Sequence, residues 1–284
     1  MDTRCCPASA RPLLEGALGL MLLCPSNLPA QRPGEEDGPR RVIPPVHIRE
    51  ADVMWARRVW RVIDLREKVN HPLYFPLEPI EDRKCLFDVL RDALLTEGSI
   101  TAYDPGPMLQ DDAFGRPLDA ASLAALFMHR DTVYTEDLES GQLVPVEQEE
   151  RLEAATITRY LLKEDWVFDK QRSVMDIRII GLAPMREVRG EDGELRGHAP
   201  LFWLYYPELR YLLAQHDAFN RHNDAARPTF EDLFRKRLFS STIVKVSNVQ
   251  DRWISDHLSG VDALLEAERM KEALFEFEHD LWHY

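Results

Sequence analysis

KEDWVFDKQRSVMDIRIIGLAP, residues 163–184, sets a run of charges around Trp166 directly before a stretch that is apolar except for Asp176 and Arg178. From Ser173 to Ala183 the β-branched content reads as a strand. Positions i and i+2 of a strand share a face about 6.6 Å apart, so Asp176 and Arg178 are expected in one row that neighbouring strands can bridge. A catalytic carboxylate with its arginine would look like this, and so would a structural ion pair. A second copy favours the structural pair. VIDLR at 62–66 lies over VMDIR at 174–178, which makes Asp64 and Arg66 the equivalent residues. FDVLRDALLTEGSITAY, 87–103, lies over EDLFRKRLFSSTIVKV, 231–246, with a one-residue gap. An active site rarely needs two copies, whereas a scaffold often does.

Working outward, the strand–helix–strand order occurs twice. RVWRVIDL (58–65) reads as a strand, EDRKCLFDVLRDALLTEG (81–98) as a helix stopped at Gly98, and SITAY (99–103) as a further strand. NHPLYFP between the first two reads as non-helical because of its two prolines. In the second copy, VRGEDGELRG (188–197) reads as a turn and PLFWLYY (200–206) as the partner strand. Pro207 then opens a helix, Thr229 and Asp232 cap another, and SSTIVKVS (240–247) closes the unit. Ala263, Ala267, Met270, Leu274, Phe277 and Leu281 recur four or three apart, a heptad-like stripe on a long last helix. That stripe faces either its own domain or a neighbouring subunit. The expected fold is α+β, with two weakly repeated strand–helix–strand units, 48–150 and 151–257, and a C-terminal helix over 258–284.

The N-terminus is different in kind. Arg4 and Arg11 precede the apolar run LLEGALGLMLLC (13–24), and Leu28-Pro29-Ala30 stands before Gln31. This is the layout of a signal peptide over 1–30, so export is expected. Leu22 and Leu23 precede Cys24 where a lipid-attachment motif places a small residue, so no lipid anchor of the chain's own is expected. Residues 31–47, rich in Pro, Gly and charge, read as an extended linker. Of the four cysteines only Cys85 lies beyond residue 30. The folded part must therefore be stable without an intrachain disulfide, and Cys85, on the apolar side of a helix, reads as a buried thiol.

The 284 residues are 45% hydrophobic and carry a formal net charge of −14. That balance argues against nucleic-acid partners and anionic membrane surfaces and suits docking onto a basic protein surface. No apolar run is long enough for a membrane helix. The sequence contains no phosphate-binding glycine loop, GxSxG, HExxH or CxxC. His279 with His283, and His216 with His222, Asp217 and Asp224, have spacings that could chelate a metal, and both groups read as solvated surface. No cofactor is expected. The six tryptophans, Trp55, Trp60, Trp166, Trp203, Trp253 and Trp282, serve either a core or interface hot spots.

Long blocks carry a resemblance. They are HIREADVMWARRVWRVIDLREKVNHPLYFP, DTVYTEDLESG, KEDWVFDKQRSVMDIRIIGLAPM, LFWLYYPELR, AQHDAFNRHNDAARPTFEDLF and LLEAERMKEALFEFEHDLWHY. Together, from Ile48 to Tyr284, the chain resembles the GldN/PorN family of the Bacteroidetes type IX secretion and gliding-motility machinery. The resemblance implies a non-enzymatic subunit of a periplasmic ring. It implies assembly with an outer-membrane lipoprotein like GldK/PorK, contact with the motor shaft protein like GldM/PorM, self-association in a large ring, and no insertion into the membrane. It carries over no catalytic residues. Candidate structural or interface residues are Trp55, Trp60, Asp64, Arg66, Trp166, Asp176, Arg178, Leu274, Phe277 and Trp282. The alternatives are an exported hydrolase using carboxylates such as Asp64 and Asp176, and an adaptor that binds secretion substrates transiently.

Overall fold

A computed structural model describes residues 42–80, 83–136, 143–189, 194–220 and 227–281. In chain order the elements are β1 (Val53–Asp64), α1 (His71–Tyr74), α2 (Leu86–Asp92), β2 (Ala102–Tyr103), α3 (Ala120–Phe127), β3 (Met128–Glu136) and β4 (Leu143–Arg151). There follow β5 (Ile157–Asp169), β6 (Val174–Arg189), β7 (Leu195–Pro200), β8 (Trp203–Tyr205), α4 (Tyr206–Leu213), α5 (Phe230–Arg235), β9 (Thr242–Val246) and α6 (Gly260–Leu281). The fold is α+β. A seven-stranded antiparallel sheet runs β2-β8-β6-β5-β1-β9, with β7 also paired to β6. β3 and β4 form a separate two-stranded hairpin.

The sheet is covered on both sides, and strand alternation assigns each side its residues. Tyr160 and Leu162 of β5 join Ile63 and Leu182 in the main core, packed on Leu86 and Leu90 of α2, Leu209 and Leu213 of α4, and Phe230 and Phe234 of α5. Further along the same face, Trp166 and Phe168 join Val59, Met175, Ile243 and Val246 under Leu274 of α6. The opposite face carries Trp60, Leu161, Ala183, Met185 and Trp203. Its cover is the segment 104–117, whose Phe114 lies over the backbone of β6. A Cβ at Gly181 would come within 2.7 Å of the tip of the Phe114 ring, so a side chain there would have to displace that ring.

Two lysines point into this opposite face. Lys163 is 3% exposed; its Nζ donates to the Asp112 carbonyl at 2.6 Å and pairs with the Asp112 carboxylate at 3.1 Å. Burial pushes the Lys163 pKa down, and Asp112 opposes the shift. The second carboxylate oxygen of Asp112 accepts from Trp60 Nε1 at 2.7 Å. Lys245 pairs with Asp251 at 2.7 Å and lies over the rings of Trp60 and Trp253. Each buried cation thus has a carboxylate, as the cost of burying charge requires.

Most expected elements stand where the pattern puts them, with local corrections. His71–Tyr74 forms one helical turn despite Pro72, because proline at a first turn removes no hydrogen bond that the turn needs. The strand expected over 99–103 is paired only at Ala102–Tyr103. The hairpin partner of β6 is β7, reaching back to Leu195 inside the segment expected as a turn. β8 then follows along the same edge, pairing Leu204 with Leu182. Cys85 is buried and caps α2, its sulfur accepting from the Asp88 N–H at 3.4 Å. Burial pushes that thiol up to about 12. Gly98, at φ +62°, ends the helical segment in the left-handed conformation that glycine adopts freely.

Candidate functional site

The two Asp–Arg pairs form, but at opposite ends of the sheet. Asp64 ends β1 opposite Arg159 of β5, whereas Asp176 lies opposite Val167. Eight residues of β5 separate those positions, roughly 27 Å at about 3.4 Å per residue. Two carboxylates that share a hydrolytic reaction stand within about 10 Å of each other, so Asp64 and Asp176 do not make such a site.

Asp64 is instead held as a fixed anion. Its oxygens accept from Arg66 at 2.7 and 3.0 Å, and Arg159 approaches to 3.3 Å. Hydrogen bonding from Arg66, with the nearby charge of Arg159, keeps its pKa at about 2. Because the folded value lies below the unfolded one of about 3.9, the stabilisation is present above pH ~4 and is lost as pH falls through the folded value of about 2. Solvent reaches the pair, so it is worth no more than about 1 kcal/mol. Asp64→Asn is expected to lower the urea midpoint near pH 7, and the gap to the parent chain is expected to narrow as pH falls from about 4 through about 2.

Asp176 has a different task. It holds Arg178 through contacts of 2.9 and 3.0 Å, and Arg178 donates to the main-chain carbonyl of Val46. The same device recurs in Arg210, which is held by Glu231 at 2.6 and 3.1 Å and donates to the carbonyl of Ile43 at 2.6 Å. Two carboxylate-braced arginines thus grip the backbone of the segment entering the fold, while the side chains of Ile43 and Val46 stay exposed. The grip reads main chain rather than side chain.

The remaining candidates gather around α6. Trp55, Trp166, Leu274 and Phe277 all belong to the cluster beneath this helix, with Trp55 and Phe277 rings 4.7 Å apart. Leu274 is 5% exposed and Ala267 is buried, so the stripe faces its own sheet. Trp60 sits apart on the opposite face, and Trp282 lies outside the described residues. So do His222, Asp224 and His283. Among the described residues no group of three His, Cys, Asp or Glu could hold a metal ion, and no helix is long and apolar enough to cross a membrane.

α6 does not fill the space it covers. On one side a groove of about 870 Å³ runs along Trp55, Val246, Val249, Met270 and Phe277. On the other, a groove of about 410 Å³ is lined by Trp166 and Phe275, by Glu268, Glu272 and Glu278, and by Arg61 and Lys271. Phe275 is 68% exposed, and Val261 and Leu264 at 70% and 62% stand on the same flank. The heptad stripe does not reveal this second set, because it selects only positions facing the sheet. The signal was present as large apolar residues at the wrong phase for burial.

Between the two clusters of this face lies Glu164, 0% exposed. It accepts from Arg237 at 2.8 Å and from Trp166 Nε1 at 3.0 Å. Arg61 nearby donates to Ser241 Oγ and to its carbonyl. Burial lowers the Arg61 pKa, with the charge of Glu164 opposing it.

The geometry is that of a braced scaffold with recesses beside one helix. A comparison with curated proteins finds no match. The sequence-family model described as "Gliding motility associated protein GldN" matches residues 48–283, from just before β1 to the end of α6 and beyond, and the chain belongs to this GldN family.

Proposed function

We propose that the chain is a non-enzymatic structural subunit of the periplasmic ring of the type IX secretion and gliding-motility machinery. In this reading residues 1–30 direct export. An outer-membrane lipoprotein of the GldK/PorK kind holds the ring at the inner face of that membrane, and a motor shaft protein of the GldM/PorM kind contacts it. The observation that carries the reading is the reach of the family match, which takes in β1 to α6 without a break. Charged groups used for bracing support it: Asp64, Asp176, Glu164 and Glu231 each hold an arginine.

Purification of the native complex from membranes tests this. The chain is expected in the membrane fraction at a fixed ratio to a lipoprotein, in ring-shaped particles visible by electron microscopy. A chain that stays in the cytosol, or never co-purifies with a lipoprotein, overturns the assignment. Association at less than a fixed ratio, dissolved by salt, would fit a transient adaptor instead.

A further inference from the structure

We propose that the flank of α6 centred on Phe275 docks a basic amphipathic helix of a partner protein. This deepens the ring assignment, on which it rests, by giving one contact surface its chemistry. Val261, Leu264 and Phe275 are large, apolar and mostly exposed. Leu264 and Phe275 are three helical turns apart, roughly 17 Å at about 1.5 Å per residue. Between Phe275 and the sheet lies the groove of about 410 Å³, with the largely buried Trp166 as part of its lining. The interleaved acids set the charge of the occupant. Glu268 is matched by Lys271 at 2.8 Å. Glu272 and Glu278 line the same groove and have no cation within ion-pair distance among the described residues; with Arg61 also in the lining, carboxylates outnumber cations there by three to two.

Each alternative occupant conflicts with this charge. A second copy meeting the same flank about a two-fold axis would set Glu272 and Glu278 against their own kind, on a chain of net charge −14. Anionic lipid headgroups and nucleic-acid phosphates are repelled by the same carboxylates. A helix with Leu-like residues towards Trp166 and Phe275, and Lys or Arg towards Glu272 and Glu278, satisfies both the apolar and the charged demand.

The probe is a Trp-free amphipathic peptide of roughly five helical turns built from Leu and Lys, with a Leu and Glu twin. Binding to the purified full chain is read from tryptophan fluorescence. The parent chain is expected to bind the Lys peptide and not the Glu twin. Phe275→Ser is expected to weaken binding about ten-fold. Glu272→Lys combined with Glu278→Lys is expected to do the same and to shift preference towards the Glu twin. Tyr211→Ser, an exposed aromatic on α4, should change nothing. Equal binding by the parent and Phe275→Ser chains overturns the proposal, since overall acidity would then explain the attraction. So does a parent chain that binds neither peptide, or one whose self-association is lost on Phe275→Ser. If the chain still co-purifies with its lipoprotein while the peptides fail to discriminate, this proposal falls and the ring assignment stands. If the peptides discriminate but no lipoprotein co-purifies, the docking site stands and the ring assignment falls.

Discussion

Replacing Arg237 with alanine is expected to destabilise the folded chain by about 3–5 kcal/mol, because it leaves the Glu164 carboxylate buried without its cation. Glu164 is fully enclosed, between the main core and the cluster under α6. Its remaining donor, Trp166 Nε1 at 3.0 Å, is neutral and cannot replace the charge. Arg237 has φ +53°, a conformation that costs alanine as much as arginine, so the substitution isolates the ion pair. The second arm of the test is Arg237→Ala combined with Glu164→Gln. The amide oxygen can still accept from Trp166, and the remaining loss is expected to be about 1–2 kcal/mol. Urea unfolding of both variants checks this. If the double variant is as unstable as the single one, the guanidinium contributes packing rather than charge; it does lie 5.5 Å from the Phe239 ring centroid.

Glu164 also shows why the sheet's centre is hard to read in the sequence. β5 pairs with both β1 and β6, yet KEDWVFD within it looks like surface. Its charges are compensated by groups remote along the chain: Lys163 by Asp112, Glu164 by Arg237, and Asp165 by Arg58 at 2.7 Å. Pattern reading is local and cannot supply such partners. The strands on either side were legible because VIDL and IRIIGLA bury apolar residues on both faces, which needs no partner to be recognised. The stripe of α6 was legible for the same reason, since helical phase alone fixes which residues meet.

The VIDLR and VMDIR match pointed to two aspartate–arginine pairs without fixing where they stand relative to each other. Both motifs form an aspartate–arginine contact across two residues, at 2.7 and 2.9 Å. Register then separates them, since Asp64 closes its strand and Asp176 opens one. Arg66 turns back onto Asp64, whereas Arg178 reaches out to Val46. Identical short motifs specify the local contact, and the third partner comes from tertiary structure. The grip of Arg210 on Ile43 had no sequence signal, because Glu231, which braces it, is 21 residues away on another helix.

Adjacent residues on α6 give the sharpest separation between core and docking surface. Leu274 is 5% exposed and touches the cluster of Val59, Trp166, Phe168 and Met175, whereas Phe275 is 68% exposed. Leu274→Glu is expected to destabilise the fold by about 3–5 kcal/mol, as an unpaired carboxylate buried against apolar side chains does. Leu274→Ala is expected to cost about 2–3 kcal/mol, the lower part of the usual range, because the large groove that Leu274 also lines lets water and neighbouring side chains fill part of the space. Phe275→Glu, one residue on, is expected to stay within about 0.5 kcal/mol of the parent chain. Comparison of the three urea midpoints decides the matter. A Leu274→Glu chain that unfolds with the parent would place the stripe outside the core. A Phe275→Glu chain that loses several kcal/mol would mean that the flank is closed, leaving no groove for a partner to enter.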